Sequence, residues 1–174
     1  MAFESGTVQL YTGNGKGKTT AAVGQAVRAA GHGKRVIMIQ FMKGKPYGEL
    51  AAADRIEGLT IEQYGRDEFV DRDNPAAEDI ELAMNGWRRA EELVRDDTLD
   101  MLILDEINVA VAFGLVPLES VVALVRNKPV GLELVLTGRY APDELIALAD
   151  TVTEMREIRH HYNRGVKARK GIEY

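Results

Sequence analysis

Cysteine is absent from the sequence. Its absence excludes disulfides, thiolate metal sites and a cysteine nucleophile together, and it fits a reducing compartment. No apolar run approaches the ~20 residues needed to span a bilayer. The start, "MAFESGTVQLY", lacks a basic segment followed by an apolar stretch, so it does not read as a signal peptide. Excess positive charge is missing too: the net charge is −5, which argues against a general nucleic-acid binder. Internal repeats and low-complexity segments are likewise absent. What remains is 174 residues with 45% hydrophobic and 28% charged side chains, a balance that suits a single soluble domain over 1–174 in the cytoplasm.

Short apolar runs alternate with helical patterns. Strands are expected at 7–12, 35–41, 59–64, 100–106, 132–139 and 151–159, the last on Val152, Met155 and Ile158. Helices are expected at 20–31, 75–94, 117–127 and 141–150. The first ends at Gly31, a good C-cap. The second carries Ile80, Ala83, Met84, Trp87, Ala90 and Val94 on one face, with Asn74 as N-cap and Pro75 at the first helical position. This order predicts an α/β, RecA-like phosphate-loop fold: a mostly parallel central sheet of about six strands with helices on both faces. The irregular segments 42–58 and 65–75 should carry ligand contacts at the strand ends. The basic, glycine-punctuated segment 163–174 is either an ordered lid or a frayed tail.

The stretch "YTGNGKGKTT" (11–20) is one residue out of step with G-x-x-x-x-G-K-[ST], because Thr12 stands where the first glycine belongs and Gly13 follows it. It still joins a strand to a helix, the context that supports a phosphate loop. Gly13, Gly15 and Gly17 allow the backbone N–H groups around Asn14 and Lys16 to turn inward toward an anion. The helix N-terminus adds to that field. Lys18 and Lys16 supply cations, and Thr19 a hydroxyl for Mg²⁺, with Thr20 continuing the loop. The shifted glycine argues against an ordinary γ-phosphate hydrolase.

"MLILDE" carries Asp105 and Glu106 to the end of a buried strand, within reach of a cation held by Thr19. "LTGR" brings Arg139 to the same edge, where a guanidinium can bind phosphate. His160 and His161 are adjacent, so on a strand they would point different ways, and they lack the spacing of a metal site.

The ordered segments "GNGKGKTTAAVGQAVRAAGHGKRV", "IQFMKG", "LDMLILDEINVAVAFGLVPLESV", "LVLTGR", "LADTVTEMREI" and "GVKARKGIEY" resemble the phosphate-loop ATP:corrinoid adenosyltransferases. The resemblance runs from residue 7 to 174. It implies that MgATP donates its 5′-deoxyadenosyl group to a Co(I) corrinoid and releases triphosphate, in adenosylcobalamin biosynthesis or salvage. It implies that ATP lies reversed relative to ordinary phosphate-loop enzymes. The cobalt is then the nucleophile, which is compatible with the missing cysteines. By the same resemblance, Gly13 to Thr20 form the triphosphate loop, with Lys16, Lys18 and Arg139 as the catalytic cations. Glu106 is the acid associated with Mg²⁺, with Asp105 beside it, and Arg28 is an arginine near the nucleotide. The resemblance further implies cobalamin, cobinamide or cobyrinic acid diamide as the substrate, an external electron donor and a homodimer.

Two departures stand out. Some members carry phenylalanine and tryptophan two residues apart, and these displace the lower axial ligand of the cobalt. In "GRDEFVDRDNP", Phe69 matches the phenylalanine and Asp71 stands at the tryptophan position. Many members also carry an N-terminal extension that reaches the partner subunit's site. Only six residues precede the strand at 7–12, so 42–75 or the C-terminus is expected to close the site. The rival readings are a RecA-like phosphate-loop NTPase or nucleoside kinase, and a nucleotide-binding module without chemistry.

Overall fold

The computed structural model describes residues 3–174. Its six strands are β1 (Val8–Thr12), β2 (Val36–Phe41), β3 (Leu59–Tyr64), β4 (Met101–Asp105), β5 (Glu133–Thr137) and β6 (Thr151–Glu154). They form one sheet in the order β3-β2-β4-β5-β1-β6, and every pairing is parallel. Parallel neighbours need crossovers, which the helices supply. These are α1 (Lys18–Ala30), α2 (Gly48–Ala53), α3 (Ala77–Leu93), α4 (Ile107–Ala112), α5 (Leu118–Asn127) and α6 (Asp143–Leu148).

The period of two along each strand divides the core between the sheet's faces. Ile37, Ile39, Leu102, Leu104, Leu134 and Leu136 pack with Trp87 and Ala90 of α3 and Val121 of α5. Val36, Met38, Met101, Ile103 and Val135 pack with Ala22, Ala26 and Ala29 of α1 and Ala53 of α2. Small alanines let α1 lie close to the sheet, while Trp87 fills the deeper opposite face.

The expected parallel α/β architecture is present, with four local corrections. Helix α3 starts at Ala77 with Ala76 as its N-cap, two residues after the predicted Asn74–Pro75 start. The Asp79 carboxylate accepts from the Ala76 N–H at 3.2 Å, so a side chain inside the first turn sets the start. Ile80 is exposed rather than on the packed face. Two short helices were not anticipated. Helix α2 interrupts the supposedly irregular 42–58, and α4 follows β4 directly, with only Glu106 between Asp105 and Ile107. Finally, β6 is an exposed edge strand of four residues, and His160–Arg164 form a turn instead of prolonging it.

Candidate active site

The strands end together at one edge, and the backbone there turns sharply. Thr12 stays in β1 and pairs with Glu154. Gly13 is the first residue out of the sheet, at φ 94°. The displaced glycine thus marks where β1 ends: Thr12 is still paired in the sheet, and the left-handed turn falls on Gly13. A Cβ at Gly13 or Gly15 would lie 2.5 or 2.6 Å from the Met155 carbonyl oxygen. The Gly15 N–H donates to that same oxygen at 2.6 Å. The chain leaving β6 thus packs against the loop and permits only glycine there. Gly17, at φ 119°, caps α1.

Lys18 opens α1 and is buried. Its Nζ donates to the carbonyls of Gly13 at 2.7 Å and Gly15 at 2.8 Å. Burial lowers its pKa, against the raising charges of Glu106 and Asp105. Thr19 Oγ1 donates to Asp105 Oδ1 at 2.9 Å, and Thr137 Oγ1 donates to the same oxygen at 2.7 Å. Asp105 Oδ2 accepts from Lys43 Nζ at 2.7 Å and from Gln40 Nε2 at 3.3 Å. Fully buried, Asp105 therefore ties the loop helix to the acid strand, although β5 separates β1 from β4.

Glu106 differs from its neighbour. It sits at φ 63°, left-handed for a non-glycine residue, with its N–H donating to Thr137 Oγ1 at 3.0 Å. Its half-buried carboxylate makes no hydrogen bond or ion pair among the described residues. Burial raises its pKa, the charge of Asp105 adds to the rise, and Lys43, Lys18 and Arg139 oppose it.

A cleft of about 520 Å³ opens over these groups, lined by the loop from Gly15 to Thr20, Lys43, Glu106 and Arg139. Arg139 is exposed at its mouth and has no ion-pair partner among the described residues. The segments expected to close the site do border it: Tyr47, Gly48 and Glu49 on one side, and His160 with Gly171–Tyr174 on the other. The C-terminus is ordered against the loop. Lys16 Nζ donates to the Ile172 carbonyl at 3.2 Å and pairs with Glu173 at 3.4 Å. Hydrogen bonds from Arg169 hold the Glu173 carboxyl down at about 2.

Some expected residues lie apart. Gly13 and Asn14 do not line the cleft; Gly13 faces the chain leaving β6, and Asn14 is exposed. Arg28 is exposed in the last turn of α1, bonded to Gln25 at 3.1 Å, roughly 13 Å along the helix from Thr19 at 1.5 Å per residue. Phe69 is 100% exposed on the β3–α3 connection and touches none of the cleft. That connection is anchored instead by Arg66, whose Nε and Nη2 each donate to Asp79 at 2.7 Å. His160 and His161 stack at 4.5 Å instead of pointing apart, because the turn replaces the expected strand. Among the described residues no group of three or more His, Cys, Asp or Glu side chains could hold a metal. Lys43 was missed by sequence reasoning. It lay within the segment 42–58 expected to carry ligand contacts and within "IQFMKG", but nothing in either singled it out.

The family model for ATP:corrinoid adenosyltransferase BtuR/CobO/CobP matches residues 4–174. The chain belongs to the ATP:corrinoid adenosyltransferase family. The corrinoid adenosyltransferase of Escherichia coli K12 is 40% identical over 172 residues, covering 98% of this chain and 87% of that protein. Corrinoid adenosyltransferase CobA of Salmonella typhimurium LT2 is 39% identical with the same coverage. That of Pseudomonas aeruginosa PAO1 is 36% identical over 98% of this chain and 85% of the relative. Family membership therefore extends over loop, acid strand, Arg139 and C-terminal segment alike. No helix among the described residues is long and apolar enough to cross a membrane.

Proposed function

We propose that this adenosyltransferase binds MgATP in the cleft and transfers its 5′-deoxyadenosyl group to a Co(I) corrinoid. The observation that carries this reading is the convergence of Lys16, Lys18, Arg139 and Glu106 on one cleft, above the Thr19–Asp105 hydrogen bond. In the reaction the cobalt(I) electron pair attacks C5′. A Co–C bond forms, the C5′–O bond breaks, and triphosphate leaves with the bonding pair as cobalt becomes Co(III). An external electron donor supplies Co(I).

The protein's part is to align C5′ and stabilise charge on the leaving triphosphate. Lys18 exchanges its two carbonyl partners for phosphate oxygens. Lys16 exchanges Glu173 in the same way, and Arg139 offers its free guanidinium. The donors near Thr19 suit Mg²⁺: a hydroxyl and two carboxylates are hard oxygen ligands, and a cation, the Lys43 ammonium, already stands against two of them. Bound with ATP, Mg²⁺ would neutralise triphosphate charge. Glu106, whose carboxylate is unengaged among the described residues, is the first acid for it, and Asp105, which also holds Thr19 in place, stands beside it. Phe69 reaches from solvent toward one face of the corrin.

Cobalamin, cobinamide and cobyrinic acid diamide are the candidate acceptors, and a cytoplasmic homodimer without nucleic acid is the working form. The test is incubation with MgATP and chemically reduced corrinoid. Formation of the Co–C bond with stoichiometric triphosphate is expected. ADP and phosphate without a Co–C bond would assign the cleft to an NTPase or kinase instead.

A further inference from the structure

The loop's hydroxyl and the strand-end acid already have a cation between them. Lys43 Nζ lies 2.7 Å from Asp105 Oδ2 and 3.4 Å from Thr19 Oγ1, the two groups a divalent ion would approach. We propose that Lys43 is the resident counter-ion of this position, excluding a divalent cation until a triphosphate arrives to take the ammonium over. The proposal rests on reading the cleft as the nucleotide site and adds an order to it: metal enters with the nucleotide and not before.

Three observations support it. The lysine backbone is pinned. Met42 donates its N–H to the Tyr64 carbonyl at 3.0 Å, and a Cβ on Gly65 would fall 2.3 Å from the Lys43 nitrogen. Only the flexible stem can move, and lysine is a mobile point charge on such a stem. Second, Asp105 is fully buried, so its charge needs a partner at all times; Lys43 provides it when nothing is bound. Burial works against the ammonium, but the charge and hydrogen bond of Asp105 more than offset this and raise its pKa. Third, Lys43 lines the same cleft as Lys16 and Lys18, so phosphate oxygens bound by those lysines are within the region its stem can sweep. An ammonium and a dication beside the same carboxylate repel, so each weakens the binding of the other. Gln40 Nε2, 3.3 Å from Asp105 Oδ2 and 3.2 Å from Glu49 Oε1, stays as a donor when the lysine leaves.

The test is Mn²⁺ binding to the full chain without nucleotide, followed by electron paramagnetic resonance. Lys43→Met should bind one Mn²⁺ at least tenfold more tightly than the wild type, and Lys43→Met with Asp105→Asn should lose that gain. Lys43→Gln keeps a donor toward Asp105 without the charge and should show the same gain, which guards against a poorly folded methionine variant. Mg²⁺ alone should raise the melting temperature of either single variant and leave the wild type unmoved. Equal Mn²⁺ affinity in wild type and both single variants would overturn the proposal. ATP binding by the wild type is measured separately; its absence would sink the nucleotide reading, while the metal-alone comparison still decides the role of Lys43.

Discussion

The two ends of the sheet use the same residue types for different purposes. At the end where strands begin, acids accept from neighbouring segments of the chain and are saturated. Glu133 accepts from the Thr7 N–H at 2.7 Å, Thr7 Oγ1 at 2.8 Å and Gln9 Nε2 at 2.7 Å. Asp100 accepts from the Arg35 N–H at 2.9 Å, and Asp150 from the Val8 N–H at 2.7 Å. At the end where strands finish, Gly13, Met42, Glu106, Gly138 and Tyr140 all take positive φ, and apart from the saturated Asp105 the charged groups there have exchangeable partners or none among the described residues. Glu106 is unpaired and Arg139 is free among the described residues. Lys18 and Lys16 rest on groups that phosphate can replace. The difference teaches that charge near a strand end is not itself a site signal. Exchangeable partners are.

The largest expected effect lies at the saturated end. Glu133→Ala strands three donors, and at about 1 kcal/mol or more each the loss should be about 3 kcal/mol of stability. Turnover per folded molecule should stay at the wild-type value. Urea unfolding beside a rate assay checks both, and a catalytic defect in a stable protein would break the contrast.

Next is Lys18→Ala, at the open end. It should cost at least about 2 kcal/mol of transition-state stabilisation, on the order of 30-fold in rate. Its loss of folding stability should be smaller than that of Glu133→Ala. Wild-type turnover in this variant would remove the loop from the chemistry.

Glu106→Gln comes third. Removing one charged partner should weaken Mg²⁺ use by about tenfold, or about 1.4 kcal/mol. The pH dependence follows from the raised pKa. The folded protein holds the proton more tightly than the unfolded chain, whose ordinary value is 4.5. The stabilising contribution is thus full below 4.5 and is lost as pH rises through the folded value. Ionised Glu106 is then a small cost to the ligand-free protein, which the glutamine should relieve at neutral pH. MgATP affinity should rise with pH through the same window in the wild type and stay flat in the variant. Calorimetric titration at several pH values reads this, and an unchanged metal titration would shift the assignment to Asp105.

The smallest effect on stability belongs to Phe69→Ala. A side chain that is 100% exposed anchors nothing, so stability should move by less than about 0.5 kcal/mol. Adenosylation should fall most with corrinoids that carry a tethered lower base, and much less with those that lack it or with pre-reduced Co(I). Equal losses on both would defeat the axial-ligand role. A clear drop in melting temperature would show instead that Phe69 packs within its loop.

Legibility in the sequence followed how local each signal is. The strands β2, β4 and β5 were readable because burial on both faces gives nearly continuous apolar runs, and β1 because a β-rich segment leads into the glycine loop. The loop was readable because its glycines, lysines and threonines lie together in one short segment, although the Met155 carbonyl that demands glycine at 13 and 15 is remote in sequence. The start of α3 was misread because its cap comes from Asp79, which Arg66 holds from thirteen positions away. Helix α4 was hidden because only the left-handed turn at Glu106 separates it from β4. Arg28 looked close to the nucleotide in sequence, yet the helix carries it away from the cleft.

By itself, the sequence determined the parallel α/β class, the glycine loop with Lys18 and Thr19, and the acids that end β4, since each depends on patterning along short segments. Tertiary structure decided the partners: Lys43 against Asp105, Glu173 against Lys16, Glu106 left without one, and Phe69 standing in solvent. The physical reason is distance along the chain. An ion pair between residues 62 positions apart, as Lys43 and Asp105 are, depends on crossovers that bring strand ends together, and no periodicity within either segment records that meeting.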